Sequence, residues 1–189
     1  MGGDIDGEAR DDFSGSSVSL SSDGTRLAIG TPANDGNGIS SGNVRVYEYT
    51  SGTWVQMGSD IDGDAEGDYS GQSVSLSDDG FILAIGANYN DGNGIDAGQV
   101  KIYQYEGSDW VQMGVDIDGE AADDYSGRSV SLSSDGNTVA IGAKYNDGNG
   151  INAGHVRIYQ LGNTCSGGCM DSTMFNYNPL ANIDDSSCI

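Results

Sequence analysis

The sequence predicts an all-β protein: three four-stranded antiparallel β-meander blades of β-propeller type, followed by a small disulfide-bonded tail. Three observations carry this expectation. Asp-Ile-Asp-Gly recurs at Asp4, Asp60 and Asp116, and Gly30, Gly86 and Gly142, then Tyr47, Tyr103 and Tyr159, keep the same 56-residue register without a gap. A constant interval of that length means one structural unit copied along the chain. Inside a unit the apolar residues alternate with period two, as in half-buried strands, and no helical period competes. The 31 Gly and 2 Pro fall far from a collagen pattern, and much of the Gly stands with Asp, Asn and Ser where a meander must turn. The organisation is therefore 1–56, 57–112 and 113–163 as repeat units and 164–189 as the tail.

Each element of a unit follows in order. Ser16-Ser17-Val18-Ser19-Leu20-Ser21 alternates polar and apolar and predicts the first strand. Ser22-Asp23-Gly24 is a tight turn in which Gly supplies a positive φ, and Arg26-Leu27-Ala28-Ile29-Gly30 returns as the second strand. After the loop Asn34-Asp35-Gly36-Asn37-Gly38, the third strand is Val44-Arg45-Val46-Tyr47-Glu48-Tyr49, rich in β-branched and aromatic residues. Ser51-Gly52 turns the chain into a fourth strand that begins Trp54-Val55-Gln56-Met57.

The third strand predicts how units pack. Val44 and Val46 share one face, Tyr47 and Tyr49 the other, so both faces are apolar. A sheet wetted on one side alternates more cleanly. Full burial of a large aliphatic side chain is worth roughly 1.5–3 kcal/mol, so a lone unit with one face in water should not be stable, whereas stacked units would be. Propellers close with roughly 4–8 blades, and the third unit has no counterpart of Trp54 and Trp110. Its outer strand is then missing or comes from another chain. The expectation is a fragment with further repeats, or a homo-oligomer such as a six-bladed dimer or a filament subunit.

Asp12-Phe13-Ser14-Gly15-x-Ser17-Val18, then Leu27-Ala28-Ile29-Gly30-Thr31-Pro32, then Gly42-x-Val44-x-Val46-Tyr47 resembles the FG-GAP repeat of integrin-α-type β-propellers, over about residues 1–162. Asp68-Tyr69-Ser70-Gly71 with Ile85-Gly86-Ala87-Asn88, and Asp124-Tyr125-Ser126-Gly127 with Ile141-Gly142-Ala143-Lys144, repeat the likeness. The resemblance implies four-stranded blades, an extracellular or cell-surface setting, and binding of proteins or glycans rather than catalysis. Blades of that family often hold calcium in an Asp-rich loop between the first two strands. Here that loop is cut to Ser22-Asp23-Gly24, Asp78-Asp79-Gly80 and Ser134-Asp135-Gly136, so that site does not carry over.

Charge narrows the partners. With 29 Asp+Glu against 7 Lys+Arg the formal charge is −22, which repels nucleic acid and anionic lipid. No apolar run approaches the ~20 residues that span a bilayer, so neither nucleic-acid binding nor membrane insertion is expected. The first residues lack the basic and apolar segments of a secretory signal, so an exported protein would be represented by a processed form or a fragment.

Two repeated polar segments are candidate sites. Asp4, Asp6, Glu8 and Asp12 return as Asp60, Asp62, Asp64 and Asp68 and as Asp116, Asp118, Glu120 and Asp124. Calcium takes six to eight oxygens, and a Gly-containing acidic bend can supply some of them, although Gly2 and Phe13 stand where an EF-hand needs acids. The competing reading is a solvated inter-blade turn in which Asp12 accepts bonds from amides of the following turn. Asn34, Asp35 and Asn37, with Asn90, Asp91 and Asn93 and with Asn146, Asp147 and Asn149, would crowd one rim as a ligand surface, or simply answer the demands of a tight loop. Arg45, Lys101 and Arg157 align and are expected to pair with the acidic loops. Trp54 and Trp110 would stack on sugars in a lectin, yet outer-strand Trp more often packs on the next blade.

Catalysis finds little footing. His155 replaces Asn43 and Gln99, the repeats hold no Cys, and no His stands ready to activate a Ser. Carboxylates that perform glycoside hydrolysis form one pair, not three copies. The expected function is a non-enzymatic extracellular module for adhesion or surface structure, with a glycan-binding propeller as alternative and a carbohydrate-active enzyme third. The tail runs Gly168-Cys169-x-Asp171, then Asn176-Tyr177-x-Pro179-x-Ala181, then Asp184-Asp185-x-Ser187-Cys188, and so resembles a Cys-bounded module found at the ends of secreted surface proteins of marine microbes. A Cys169–Cys188 disulfide would close a loop of about 20 residues, worth roughly 3 kcal/mol, and leave Cys165 free or bonded to another chain.

Overall fold

Alternating strands joined by Ser-Asp-Gly turns give each unit its own antiparallel sheet. The computed structural model describes residues 2–161, 167–168 and 183–184. Sheet 1 holds β1 (Ser17–Leu20), β2 (Arg26–Thr31), β3 (Asn43–Thr50) and β4 (Thr53–Gln56) in that order, with β5 (Ile61–Asp62) also paired to β3. Sheet 2 repeats it with β6 (Ser73–Leu76), β7 (Ile82–Ala87), β8 (Gln99–Tyr105), β9 (Trp110–Gln112) and β10 (Ile117–Asp118). Sheet 3 contains β11 (Ser126–Leu132), β12 (Thr138–Ala143) and β13 (His155–Gln160). In the tail, β14 (Gly167–Gly168) runs parallel to β15 (Ile183–Asp184). Cys165, Cys169 and Cys188, and with them the expected disulfide, lie outside the described residues.

The turn between the first two strands shows why the units fold alike. Ser21 donates to Asp23 Oδ1 at 2.7 Å, and the Thr25 amide donates to the same oxygen at 2.9 Å. Gly24 completes the turn at φ 69°. The bond from Ser21, followed by that from the Thr25 amide, draws the Asp23 carboxyl down to about 2. Ser133 and the Asn137 amide do the same to Asp135, also to about 2.

One element differs from expectation. The Asp-Ile-Asp-Gly segments read as inter-blade turns, yet Ile61–Asp62 pairs with β3 and Ile117–Asp118 with β8. The cause is the single isoleucine in each acidic stretch: pairing tucks Ile61 and Ile117 into the two cores while the carboxylates stay at the surface.

The sheets stack face to face. Ala28, Val44 and Val46 from the front of sheet 1 meet Val74, Leu76, Leu83 and Ile85 from the back of sheet 2. Ala84, Val100 and Ile102 from the front of sheet 2 meet Val139 and Ile141, with Val130 and Leu132, from the back of sheet 3. Val46 and Tyr47, on opposite faces of β3, are both buried. Trp110 packs rather than projecting: it is buried, sits 5.4 Å from the Tyr105 ring and donates its indole N–H to the Met57 carbonyl at 2.9 Å.

Backbone approach between sheets is close enough to demand glycine. A Cβ on Gly30 would lie 2.1 Å from the Gly71 carbonyl oxygen, and one on Gly86 would lie 2.1 Å from that of Gly127. A Cβ on Gly142 would meet only Ser129, whose hydroxyl can rotate away. Gly86→Ala is therefore expected to cost about 1–3 kcal/mol through overpacking, and Gly142→Ala distinctly less. Urea unfolding of the two variants checks the difference, and equal losses would contradict it.

Candidate functional site

The two candidate polar segments come together as one seam repeated in each unit. Asp12, Asp68 and Asp124 are buried. Each accepts from the Asn 22 residues ahead, Asn34 at 3.1 Å, Asn90 at 2.9 Å and Asn146 at 2.9 Å. The same Oδ2 accepts the amide of Ala9, Ala65 or Ala121, at 3.2, 3.1 and 3.1 Å. The amide thus belongs to the residue three positions before the Asp, not to the following turn, because the acidic bend curls back over its own carboxylate. Each Asn Oδ1 in turn accepts the amide of Gly36, Gly92 or Gly148. Asp35, Asp91 and Asp147 cap their own loops by accepting the amides of Ser40, Asp96 and Asn152.

The loop also grips the unit that follows. Asn37 donates to the carbonyls of Gly63 and Asp64 at 2.9 and 3.1 Å, and Asn93 to those of Gly119 and Glu120 at 2.8 and 3.4 Å. The third-strand cations complete the seam as expected. Arg45 pairs with Glu8 at 3.3 Å, Lys101 reaches both oxygens of Asp64, and Arg157 bonds Glu120. His155 Nδ1 lies 3.5 Å from Glu120.

The remaining carboxylates disperse. Asp4 and Asp6 are exposed, Asp60 accepts from Gln56, and Asp116 and Asp118 accept from Gln99, Asp116 also from Gln112. Partial desolvation, then the charge of Asp60, raises Asp62 from its ordinary value, and burial likewise raises Asp68. Among the described residues no three acids, His or Cys converge as a metal would require. The carboxylate lone pairs serve amides and cations of the seam.

A second feature escaped the sequence reading. Tyr69, Tyr89, Tyr125 and Tyr145 form a row with ring centres 5.0, 5.1 and 5.2 Å apart across the joint between sheets 2 and 3. They line a cleft of about 400 Å³ together with Arg128 and Lys144. Asn88, also in its wall, is buried with Oδ1 unbonded. Tyr69 and Tyr125 adopt φ 54°, unusual for a bulky residue, at the corners leading into β6 and β11. The available signal was Tyr89 and Tyr145 standing where the first unit has Ala33.

Three stacked antiparallel meanders joined by a repeated acidic seam define a repeat-blade protein of β-propeller type. Residues 55–103 and 115–159 match the family model described as FG-GAP repeat, which supports the FG-GAP family for these two segments. No curated protein sequence matches the chain. Among solved structures, the periplasmic gluconolactonase of Pseudomonas aeruginosa is similar at TM-score 0.52 and 19% identity, covering 78% of this chain and 39% of that one. Kuenenia stuttgartiensis hydrazine synthase matches at TM-score 0.48 and 16% identity, over 76% and 33%. The chain thus spans about a third to two fifths of the length of these structures, and the likeness to the gluconolactonase is one of fold.

Two outcomes test the seam. Asp68→Ala strands the buried Asn90 amide and should cost about 1–3 kcal/mol, whereas Asp64→Ala, which removes a half-exposed pair with Lys101, should cost under about 1 kcal/mol. Denaturant titration separates them. The pH profile has a definite shape as well. Asp62 and Asp68, raised on folding, bind their proton more tightly in the folded chain, so acidification adds stability as pH falls through their folded values, and the gain is complete below the unfolded value of 3.8. Asp23 and Asp135 act oppositely, their contribution being complete above the unfolded value of 3.8 and lost as pH falls towards about 2. The melting temperature should rise on mild acidification and then fall below pH 3.8; a monotonic decline from neutral pH would contradict the assignment.

Proposed function

We propose that the chain is a non-enzymatic, extracellular or cell-surface repeat module for adhesion or surface structure, working as part of a longer array of blades. The observation that carries this is the threefold recurrence of the Asp–Asn seam: Asp12–Asn34, Asp68–Asn90 and Asp124–Asn146 make the same bonds in each unit. Polar groups copied this way brace each blade, and Asn37 and Asn93 of the same loops reach the carbonyls of the unit that follows, whereas a catalytic site is one constellation of groups in distinct roles. The FG-GAP match over two segments and the strongly acidic surface agree with the reading. Calcium belongs to it as a counter-ion that screens the −22 charge. Equimolar calcium and magnesium should then raise the melting temperature equally. A calcium-specific rise reversed by chelator would instead establish a dedicated site. Turnover of any polysaccharide by the purified chain would overturn the non-enzymatic reading.

A second reading, binding of an acidic glycan, is favoured by the tyrosine-lined cleft. Of seven basic residues, Arg128 and Lys144 are the two without a carboxylate partner among the described residues, and both border this cleft. Aromatic faces and two unpaired cations suit a uronate-bearing or sulfated saccharide. On a glycan array Arg128→Ala should weaken such binding about tenfold with unchanged circular dichroism. Indifference to the substitution would end the lectin reading.

A further inference from the structure

The internal joints supply a template for a joint that the described chain leaves open. Val100 and Ile102, on the front of sheet 2, are 0% and 1% exposed beneath sheet 3, but their repeat equivalents Val156 and Ile158, on the front of sheet 3, are 67% and 71% exposed. At the other end, Val18 and Leu20 are 62% and 57% exposed, while Val74 and Leu76, their equivalents in sheet 2, are 9% and 7% exposed. These exposed residues, with Ile29 and Tyr47 on the back of sheet 1 already buried, belong to the two halves of one interface that occurs twice within the chain. We propose that the front of sheet 3 receives the back of sheet 1 from a second copy of this chain, head to tail, with the partner's Ile5–Asp6 added as a strand along β13. The proposal rests on the reading of the chain as part of a longer blade array and identifies what extends it.

Several independent groups wait for that copy. Val44 pairs with Ile61 and Asn43 with Asp62, and the same holds for Val100 with Ile117 and Gln99 with Asp118. The same register places the partner's Ile5 opposite Val156 and the partner's Asp6 opposite His155. Ser17 and Ser73 donate to the carbonyls of Gly71 and Gly127 at 2.7 and 2.8 Å, so Ser129 would donate to the carbonyl of the partner's Gly15. Ser19 and Ser75 accept the amides of Leu76 and Leu132, both at 2.9 Å, which leaves Ser131 for the amide of the partner's Leu20.

The space fits. Gly30 and Gly86 each have a neighbouring carbonyl pressed against them, whereas among the described residues Gly142 has only Ser129 and borders an open slot of about 500 Å³ with Gly154, His155 and Val156. The tyrosine row ends in the same way. Tyr89 lies between Tyr69 of its own unit and Tyr125 of the next. Among the described residues Tyr145 has only Tyr125, and Phe13, the equivalent of Tyr69 and Tyr125, is exposed. The partner's Phe13 would continue the row. An interface whose two halves lie on different surfaces is heterologous, closing into a ring or growing into a filament according to the rotation per copy.

Heterologous docking has a diagnostic test by sedimentation or light scattering of the whole chain. The wild type should show concentration-dependent mass above 19.5 kDa, strengthened by added salt because both copies are acidic. Val18→Asp blocks one half and Ile158→Asp the other, and each alone should weaken association at least about a hundredfold by burying an unpaired carboxylate. Mixed, the two variants should recover a species of twice 19.5 kDa and nothing longer, because each retains the half the other lacks. Gly142→Ala, which leaves the monomer intact, should also block docking by filling the slot. A monomeric wild type, or a mixture that stays monomeric while circular dichroism shows all variants folded, overturns the proposal. Neither result touches the non-enzymatic reading, which the turnover assay tests by itself.

Discussion

Every level of this structure depends on one constraint: a sheet that is apolar on both sides cannot face water with either. In sheet 1 the front carries Ala28, Val44 and Val46 and the back carries Leu27, Ile29 and Tyr47. Hydrophobic burial is proportional to the area removed from solvent, so stability accrues at joints between sheets rather than inside any one sheet. This is the energetic logic of a repeat array, in which each unit is stabilised chiefly by its neighbours.

The polar residues make that joint specific. Apolar faces alone would tolerate sliding. The loop Asn and the linker carbonyls define one register, since Asn37 can reach Gly63 and Asp64 only when the following unit sits at the right height. Ser17 against the Gly71 carbonyl repeats the restriction at the other end of the strand. The −22 charge is thus distributed so that the carboxylates buried in the seam are hydrogen-bonded and the dispersed ones face solvent, where their mutual repulsion is screened.

The same rule explains the asymmetry between the ends of the described array. The aliphatic side chains of β6, β7 and β8 that face sheets 1 and 3 are largely buried, whereas Val18 and Leu20 on the back of sheet 1, beside the buried Ile29 and Tyr47, and Val156 and Ile158 on the front of sheet 3 are exposed. Contiguous exposed apolar surface of this kind marks an interaction site. Its chemistry is that of the joints already formed, so the surface best suited to cover it is another blade of the same type.

Strand order, turn positions and the identity of the repeat were legible in the residues, because they depend on local rules: alternation with period two, Ser-Asp-Gly at the turn, and one interval held across 56 positions. The pairing of Arg45 and Lys101 with acidic loops was legible too, since so few cations stand among so many carboxylates. The short strands Ile61–Asp62 and Ile117–Asp118, the backward bond from Ala9 to Asp12, and the Tyr69–Tyr89–Tyr125–Tyr145 row were not. Each joins residues that lie together only after one sheet has been laid on the next or a bend has closed on itself. Local pattern determines what a segment can become, while proximity across a joint is set by packing, and that is a property of the assembled sheets alone.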